Sequence, residues 1–427
     1  MMTSALNRAE PLEAEFSRRS VRERRGKVLI YGMNFSPEIA GVGKYTGEIA
    51  EYLKQTGADV TVVTTPPHYP GWRVQPGYKN RYSATISAGM KVIRTPLLLR
   101  QKMGGIWRLI APATFAISSA PVVIYQILTK RPDTVFCVEP TLIAAPAAQL
   151  AAKLVGARTV LHVQDLEVDA AFAVGHLGSK NWLKALGYAF ERFSLRRFSK
   201  VITISNRMAE KLVDKGVAPE RVSVVRNWVD LSHIYPMDNV SSYRSELGFS
   251  TNDFIVLYSG NIGAKQGLDV LLETARSLVE NPRVHFVIAG DGPAKDDLIA
   301  KGTDLKNVRF LPFQPYARLN DFMNLADLHV LPQERGAADL VLPSKLGGML
   351  ASGKQILITA DEDTELAEFV GGTATVTAPG DAAAMSAAIV HISTQSVDKE
   401  KSSRARLVQQ ISKDGEIEKL SALLIPA

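Results

Sequence analysis

The chain has 427 residues, of which 46% are hydrophobic and 22% are charged, as in folded globular proteins. This length is too great for one compact core and fits two domains of ordinary size. The single cysteine, Cys137, excludes a disulfide framework and a cysteine-based zinc site, and it fits a reducing compartment. The net charge of +7 favours anionic partners, so the position of the basic residues is informative.

The basic residues are concentrated in the first part of the chain. Residues 1–26 are rich in arginine and lack the apolar core of a signal peptide, so they are predicted to form a disordered basic tail. From Val60 to Pro132 there is no Asp or Glu, and basic residues alternate with apolar ones. This combination favours an anionic membrane surface over nucleic acid, because no zinc-finger spacing and no aromatic RNA-binding signature is present. The membrane prediction depends on Arg94, Arg100, Lys102, Arg108, Leu97, Leu98, Leu99, Ile106 and Trp107.

The uncharged stretch from Leu109 to Thr129 is long enough for a membrane-spanning helix. Pro112, Pro121 and several polar residues interrupt it, so we interpret it as a buried helix of a large domain. We therefore expect a peripheral protein and not an integral one.

The fold is predicted to begin with a strand, a loop, a helix and a second strand, the strands being Lys27–Tyr31 and Asp59–Thr64. Gly41-Val42-Gly43 stands at the start of the helix. A dinucleotide fingerprint places its first glycine directly after the strand and an acidic residue about 20 positions later. Neither feature is present, which argues against NAD binding, whereas an anion site at the helix N-terminus remains open.

Carboxylates follow a later strand of the same domain. Strands are predicted at Thr134–Val138 and Thr159–Val163, and the second runs into a segment that contains Asp165 and Asp169. Ligands of open parallel sheets bind beyond the carboxyl ends of strands, although either residue would also suit a helix cap. The amphipathic pattern from Lys180 to Lys200 predicts a helix that faces either the core or a membrane.

A segment rich in Ser, Asn and Asp predicts a linker at residues 236–250, between an N-terminal domain at 27–235 and a second domain at 251–405. A final helix is predicted at 406–427. The second domain repeats the alternation, with strands at Phe254–Tyr258, Val284–Ala289, Val308–Leu311, Leu328–Leu331 and Gln355–Thr359. Two similar domains and a linker predict a cleft between them.

The strongest candidate site is the glycine-rich turn after Phe254–Tyr258. Gly260, Gly263 and Gly267 surround Lys265 just before a predicted helix. Such a turn offers backbone N–H groups, a helix dipole and an ammonium to a diphosphate, although an ordinary strand-to-helix turn has the same pattern. Two more turns suited to a ligand are Gly290-Asp291-Gly292-Pro293 and Leu342-Pro343-Ser344-Lys345-Leu346.

These motifs resemble the retaining family 4 glycosyltransferases of the GT-B fold, over nearly everything after residue 26. The first domain matches at Gly41-Val42-Gly43, at Ser205 and at Asn227-Trp228-Val229-Asp230, and the second at its three turns. The segment His162–Asp169 resembles the subgroup of colanic acid and O-antigen fucosyl- and N-acetylfucosaminyltransferases. The resemblance implies an α/β fold of two Rossmann-like parallel-sheet domains that face each other across a cleft.

The resemblance also implies site residues. Lys265 and Asp165 are the catalytic candidates, the first to neutralise the donor diphosphate and the second to orient the sugar or the acceptor hydroxyl. The family's usual arginine is replaced by Asn261, and its two usual glutamates are missing at Leu340 and Gly348, which leaves the roles of Glu334 and Asp339 open. The implied donor site comprises Gly41, Val42, Gly43, Gly260, Asn261, Gly267, Gly290, Asp291, Asp339, Pro343, Ser344 and Lys345.

The function implied by this resemblance is sugar transfer from a nucleotide sugar in bacterial exopolysaccharide or O-antigen synthesis. We expect retention of anomeric configuration, no metal and no cofactor, and a polyprenyl-diphosphate-linked or oligosaccharide acceptor. The expected location is the cytoplasm, at the inner face of the cytoplasmic membrane, without nucleic-acid partners. Two alternatives stay open, namely a sugar-nucleotide epimerase of the same architecture and an inactive membrane-associated scaffold subunit.

Overall fold

The computed structural model describes residues 26–38, 41–69, 71–100, 107–169, 181–263, 266–335, 342–395 and 398–425. The chain packs as two compact units. The first takes in Met1–Thr203, Leu212–Ser223 and Lys419–Ala427, and the second takes in Ile204–Lys211 and Val224–Glu418. The boundaries therefore differ from the predicted ones, since residues 236–250 lie inside the second unit and the final helical segment is divided between the units.

The predicted linker is part of a packed unit because its polar residues make specific contacts. Ser241 caps a short helix, Ser242–Glu246, by accepting a hydrogen bond from the Tyr243 N–H. The Ser242 hydroxyl donates to an Asp321 carboxylate oxygen at 2.5 Å. Tyr243 is buried with its ring centroid 5.0 Å from that of Phe322. A composition rich in Ser and Asp thus reflects capping here and not an unpacked linker.

The first unit is built on an eight-stranded sheet of order β3-β4-β2-β1-β5-β6-β7-β8. Its strands are β1 Lys27–Tyr31, β2 Asp59–Thr64, β3 Ser83–Ser87, β4 Met90–Arg94, β5 Thr134–Glu139, β6 Arg158–Val163, β7 Lys200–Thr203 and β8 Val222–Val224. The edge strand β3 pairs antiparallel with β4, whereas the neighbouring pairs from β4 to β7 are parallel. The helices within this stretch are α1 Gly41–Gln55, α2 Trp107–Lys130, α3 Ala145–Val155, α4 Asn181–Leu195 and α5 Asn206–Asp214.

Helix α2 packs on the sheet with one face only. Its buried stripe repeats at every fourth position and consists of Ala111, Phe115, Ser119, Val123 and Ile127. The Ser119 and Tyr31 hydroxyls lie 2.6 Å apart and fix this face to β1. The opposite face is exposed, so the predicted buried helix is only half buried. By length and composition, Leu109–Lys130 would also pass as a membrane span, with 33% of its most apolar 18-residue window buried.

Two residues of the predicted membrane surface lie in the interior instead. Leu97 is buried, and the buried Arg94 guanidinium donates hydrogen bonds to the Thr65 and Ser36 carbonyls at 2.7 and 2.8 Å. Arg94 therefore joins the loops after β1 and β2 and cannot serve as a surface charge. Lys102 and Ile106 lie outside the described residues, as do the side chains of Trp107 and Arg108.

The second unit is built on a six-stranded sheet of order β11-β10-β9-β12-β13-β14, in which all described pairs are parallel. Its strands are β9 Phe254–Asn261, β10 Val284–Asp291, β11 Val308–Leu311, β12 Leu328–Leu331, β13 Gln355–Thr359 and β14 Thr375–Thr377. The helices are α6 Ser242–Glu246, α7 Leu268–Ser277, α8 Lys295–Lys301, α9 Leu319–Met323, α10 Lys345–Ala351, α11 Glu365–Val370, α12 Ala382–Thr394, α13 Lys401–Gln409 and α14 Lys413–Leu424.

Candidate functional site

The glycine turns of the second unit meet at the carboxyl ends of β9 and β10. The two strands end at Asn261 and Asp291, beyond their predicted ends at Tyr258 and Ala289, and their register pairs Gly260 with Gly290 and Asn261 with Asp291. Gly290 has a φ of 152°, and a Cβ there would lie 1.8 Å from the Gly260 carbonyl oxygen. Only glycine permits this close approach of the two strands, so the turn residues are placed by backbone packing.

Lys345 brings a cation to the same edge of the sheet. It is the first residue of α10, and its Cε lies 2.2 Å from the position that a Cβ on Gly260 would occupy. Its ammonium donates a hydrogen bond to the Tyr258 hydroxyl, and burial lowers the pKa of Lys345 to about 8. Among the described residues it has no carboxylate partner. A partly buried ammonium that has no carboxylate partner among the described residues, next to a glycine turn, is suited to bind an anion.

The N-terminus of α7 completes this edge. Gly267, with a φ of 57°, precedes the helix, and the position of a Cβ on it would be 3.3 Å from a Glu334 carboxylate oxygen and 3.2 Å from the Glu334 nitrogen. The Asn261 amide donates to the Gln266 side-chain oxygen at 3.4 Å across the turn. Glu334 therefore lies beside the N–H groups of a ten-residue helix, where a diphosphate would also be attracted.

The structure brings together most of the second-domain residues that the sequence predicts. Gly260, Asn261, Gly267, Gly290, Asp291 and Lys345 lie at one edge of one sheet, and Pro343 and Ser344 directly precede Lys345. Lys265 and Asp339 lie outside the described residues. Gly348, where the resemblance predicts a glutamate, lies inside α10, and a Cβ there would contact Ile234 and Met323 at 3.5 Å.

In the first unit, Gly41, Val42 and Gly43 form the first turn of α1, and Gly43 lies against Glu38. A Cβ on Gly43 would be 2.3 Å from a Glu38 carboxylate oxygen. Glu38 is buried and accepts hydrogen bonds from the His68 and Tyr69 N–H groups at 3.0 Å and from the Asn34 amide at 2.9 Å. This carboxylate thus holds the loops after β1 and β2 beside the helix N-terminus.

Asp165 follows β6 in the same unit and is exposed. Two glutamates lie beneath it: Glu139 ends β5, and Glu167 accepts a hydrogen bond from the Leu142 N–H at 2.9 Å. Burial is the main cause that raises the pKa of both, and repulsion from Asp165 and Glu191 adds to it. The Glu167 carboxylate also raises the pKa of Glu139, and the pKa of Glu167 itself rises to about 7. His162, also buried, has its pKa lowered to about 3 by burial and stays neutral.

Sequence reasoning missed three residues of these two edges. Tyr258 lies inside an apolar strand pattern that carries no sign of a polar role. Glu38 falls in a loop without periodicity, and Glu139 ends an apolar run 28 positions before Glu167. Their positions follow from strand adjacency, since Glu139 lies opposite Val163 in the β5–β6 register. An Asp-x-Asp segment, Asp361–Asp363, was also passed over; within the described ranges, no three His, Cys, Asp or Glu side chains are grouped so as to hold a metal ion.

Comparison with known proteins identifies the family of the chain. Residues 40–228 match the family model described as a glycosyl transferase 4-like domain, and residues 253–395 match glycosyl transferases group 1. The chain is 41% identical over 353 residues to the putative colanic acid biosynthesis glycosyl transferase WcaI of Escherichia coli (strain K12), covering 80% of this chain and 85% of that protein.

Solved structures show the same fold. Sucrose-phosphate synthase from Thermosynechococcus elongatus superposes with a TM-score of 0.69 at 14% identity, covering 93% of this chain and 98% of that one. Anabaena HepE in complex with UDP and glucose superposes with a TM-score of 0.66 at 17% identity, covering 94% and 99%. The resemblance seen in the sequence is thereby confirmed: the chain belongs to this glycosyltransferase family, has its GT-B fold of two parallel-sheet α/β domains, and is a glycosyltransferase.

Proposed function

We propose that this glycosyltransferase moves a sugar from a nucleoside-diphosphate sugar to a lipid-linked or oligosaccharide acceptor in bacterial surface-polysaccharide synthesis. The observation that carries the proposal is Lys345, a partly buried ammonium beside Gly260, with only the neutral Tyr258 hydroxyl as its described partner. A ligand with a compact negative charge satisfies that ammonium, and the diphosphate of the donor supplies it.

The names of similar proteins support the donor and the pathway. Anabaena HepE is described in complexes with UDP-glucose and with UDP and glucose, and the E. coli relative is named for colanic acid biosynthesis. We carry over a nucleotide-sugar donor and an extracellular-polysaccharide product on that basis. The base and the sugar are left to experiment.

In the proposed reaction, the bond between the anomeric carbon and the β-phosphate oxygen breaks, and a bond to the acceptor oxygen forms on the same face of the sugar. Negative charge develops on the leaving phosphate, where Lys345 and Lys265 stabilise it more than in the ground state. The leaving phosphate accepts the proton of the acceptor hydroxyl, so no separate base and no metal is needed. Asp165 orients the sugar or that hydroxyl.

The proposal includes attachment of the first unit to an anionic membrane. An apolar helix face is exposed on three neighbouring helical segments, and α3 is tied to α4 by a hydrogen bond of 3.0 Å from the Gln149 amide to the Ser194 carbonyl. Exposed basic residues, Lys184, Arg192, Arg196 and Arg197, lie on or just after α4. We define the apolar helix face as Leu109, Ile117, Tyr125, Leu128, Ile143, Leu150, Leu154, Trp182, Leu186 and Phe193. Interleaved apolar and basic side chains favour an anionic lipid surface.

A donor screen tests the proposal. Thermal shift with UDP-, GDP- and dTDP-sugars identifies the nucleotide that raises the melting temperature, because a ligand that binds only the folded state stabilises it. Lys345→Met is expected to lower the affinity for that nucleotide at least tenfold, and Lys306→Met, an exposed lysine of the same unit, is the matched control. A product of retained configuration formed in EDTA is expected once an acceptor is supplied. The proposal fails if no nucleotide sugar binds, or if Lys345→Met binds as tightly as the unchanged protein.

A further inference from the structure

Five carboxylates lie together around the carboxyl ends of β5 and β6. Glu139 comes from β5, the segment after β6 supplies three, and Glu191 comes from α4; the three are Asp165, Glu167 and Asp169. One lysine pairs with part of the group: the Lys215 ammonium lies 2.5 Å from a Glu191 carboxylate oxygen and 3.0 Å from one of Asp169. In the described part of the chain no ion pair reaches Glu139 or Glu167, so these two are left without a compensating cation.

Glu139 is the most deeply placed of the five. Its residue is 1% exposed, and neither carboxylate oxygen has a partner of hydrogen-bond geometry among the described residues. The Glu167 backbone N–H faces it and favours its ionised form. A buried, unpartnered carboxylate costs several kcal/mol if it is charged, so burial raises the pKa of Glu139 well above its usual value and favours the protonated form.

Glu167 connects the two strand ends. Its carboxylate accepts the Leu142 N–H at 2.9 Å, which ties the segment after β6 to the segment after β5. Asp165 is two residues away on the same segment. The position of Asp165 therefore depends on the Glu167 contact, and that contact lies next to Glu139.

The described charged groups that act on Glu139 most strongly are all acids. Asp165 and Glu167 face it from the segment after β6 and Glu191 from α4, while Asp169, Lys215 and Tyr188 lie in the next layer. Ionising Glu139 while Glu167 is charged places two like charges in a region of low dielectric. The repulsion is relieved when the segment with Glu167 moves away from β5.

We propose that Glu139 and Glu167 are positioning residues which hold the Asp165 segment, residues 164–169, against the end of β5, and that they do so only while the pair retains a proton. The holding contact exists whatever reaction the protein performs. Its consequence for catalysis rests on the proposed function, in which Asp165 orients the sugar or the acceptor hydroxyl.

Hydrogen exchange of the full chain at pH 6 and pH 8.5 tests the holding contact. In the unchanged protein the protection factors of amides in residues 164–169 are expected to fall about tenfold from pH 6 to pH 8.5. A tenfold change is what a shift of one unit in a pKa corresponds to. Glu139→Gln is permanently neutral and is expected to keep its protection at both pH values. Glu51→Gln makes the same chemical change at an exposed position on α1 and is expected to behave like the unchanged protein.

Kinetics test the catalytic consequence separately. In the unchanged protein, kcat is expected to fall at alkaline pH, when the pair loses its proton. In Glu139→Gln this fall is expected to occur at higher pH, while KM for the donor stays within twofold. A purely structural role would lower kcat at all pH values and leave the profile unshifted. If Glu139→Gln does not fold, Glu167→Gln decides, since its amide oxygen still accepts from the Leu142 N–H.

The same pH dependence of protection in Glu139→Gln and the unchanged protein overturns the proposal. Failure of the transferase function looks different: no donor gives product, while the exchange result stands by itself. A protection change without any shift of the kinetic profile restricts the pair to a structural role and also contradicts the proposal.

Discussion

The ammonium of Lys345 lies 2.5 Å from the phenolic oxygen of Tyr258 and 4.5 Å from the centroid of its ring. The same hydroxyl donates a hydrogen bond to the Asn261 carbonyl at 2.5 Å, so Tyr258 links the cation to the end of β9. Burial raises the pKa of Tyr258 and keeps it a neutral phenol. A neutral partner orients the ammonium without cancelling its charge, and that charge stays available to a ligand.

The pH dependence of nucleotide binding follows from this pair. The pKa of Lys345 is lowered to about 8, and a bound diphosphate raises it, so binding takes up a proton near pH 8. Affinity is expected to be flat below pH 7 and to fall by up to about tenfold per pH unit above the free-state pKa. Calorimetry with the best nucleotide, in buffers of different ionisation enthalpy, measures both effects. Lys345→Arg remains charged and should bind without this fall; an identical profile for the two proteins would contradict the assignment.

The close approach of β9 and β10 predicts a strong effect of Gly290→Ala. The new Cβ would lie 1.8 Å from the Gly260 carbonyl, and the backbone there has a φ of 152°. We expect a loss of about 3 kcal/mol or more in the free energy of unfolding, since both the clash and the strain must be relieved. Gly372→Ala, at a φ of 80° with nothing within 4 Å, is the control and is expected to cost about 1 kcal/mol. Equal urea midpoints for the two variants would refute the packing argument.

Substitution of Glu365 is expected to lower the free energy of unfolding much more than substitution of the nearby Glu368. The buried Glu365 carboxylate accepts the Asn206 and Arg207 N–H groups at 2.9 and 2.8 Å and the Arg226 guanidinium at 2.7 Å. Glu365→Ala leaves that guanidinium and the N-terminus of α5 unpaired, at a cost of about 3–5 kcal/mol. Glu368 makes an exposed ion pair with Arg207, and Glu368→Ala should cost less than about 1 kcal/mol. Chemical denaturation of both variants measures the difference, and a Glu365→Ala loss as small as that of Glu368→Ala would be evidence against the buried network.

The raised pKa of Glu167 predicts that the free energy of unfolding falls as pH rises from about 4.5 to 7. Its folded-state pKa is raised from 4.5 to about 7, so the folded state binds this proton more tightly than the unfolded state. The free energy of unfolding therefore falls as pH rises from about 4.5 to 7, by an amount on the order of 1–3 kcal/mol, and stays low above it. Glu167→Gln removes this decline, so its free energy of unfolding is expected to fall less between pH 5 and pH 8 than that of the unchanged protein. Urea denaturation of both proteins at both pH values measures this, and an equal change in the two proteins would contradict the raised pKa of Glu167.

Vesicle sedimentation tests the apolar helix face. Replacing Ile117 and Leu154, which are 76% and 70% exposed, with Asn removes two apolar side chains without disturbing the core. Each buried side chain of this size contributes about 1.5–3 kcal/mol, so the bound fraction on anionic vesicles should fall by at least about tenfold. Val240→Asn makes an equivalent change at an exposed position of the second unit and should bind normally. If neither salt nor the Ile117 and Leu154 substitutions change the fraction bound to anionic vesicles, the proposed membrane docking is contradicted.

Much of the fold follows from the sequence because parallel strands buried on both faces form short apolar runs. Lys27–Tyr31, Asp59–Thr64 and Val308–Leu311 are confirmed at both ends. The strand Ser83–Ser87 was missed because it is an exposed edge strand in which Ser and Thr alternate with two apolar residues, Ala84 and Ile86. A pattern method needs a buried face, and this strand has none.

The candidate site is predictable only where one turn carries its own signal. The glycines at 260, 267 and 290 indicate turns at the ends of strands. The functional roles assigned to the residues of those turns stay predictions. Tyr258 and Glu139 give no such signal, because their function depends on partners 87 and 28 positions away in the chain. Strand order brings these residues together, and a single sequence contains strand order only as far as a fold family supplies it.

The division of α14 between the two units has a consequence for experiments that separate them. The Thr134 hydroxyl at the start of β5 donates to the Leu424 carbonyl at 2.7 Å, and Lys419–Ala427 belongs to the first unit. A protein cut at the serine-rich segment near residue 240 would therefore contain a first half that lacks its own last helix turn. Domain exchange with a relative should transplant residues 419–427 together with the first unit, and a hybrid made with a single junction is expected to be insoluble.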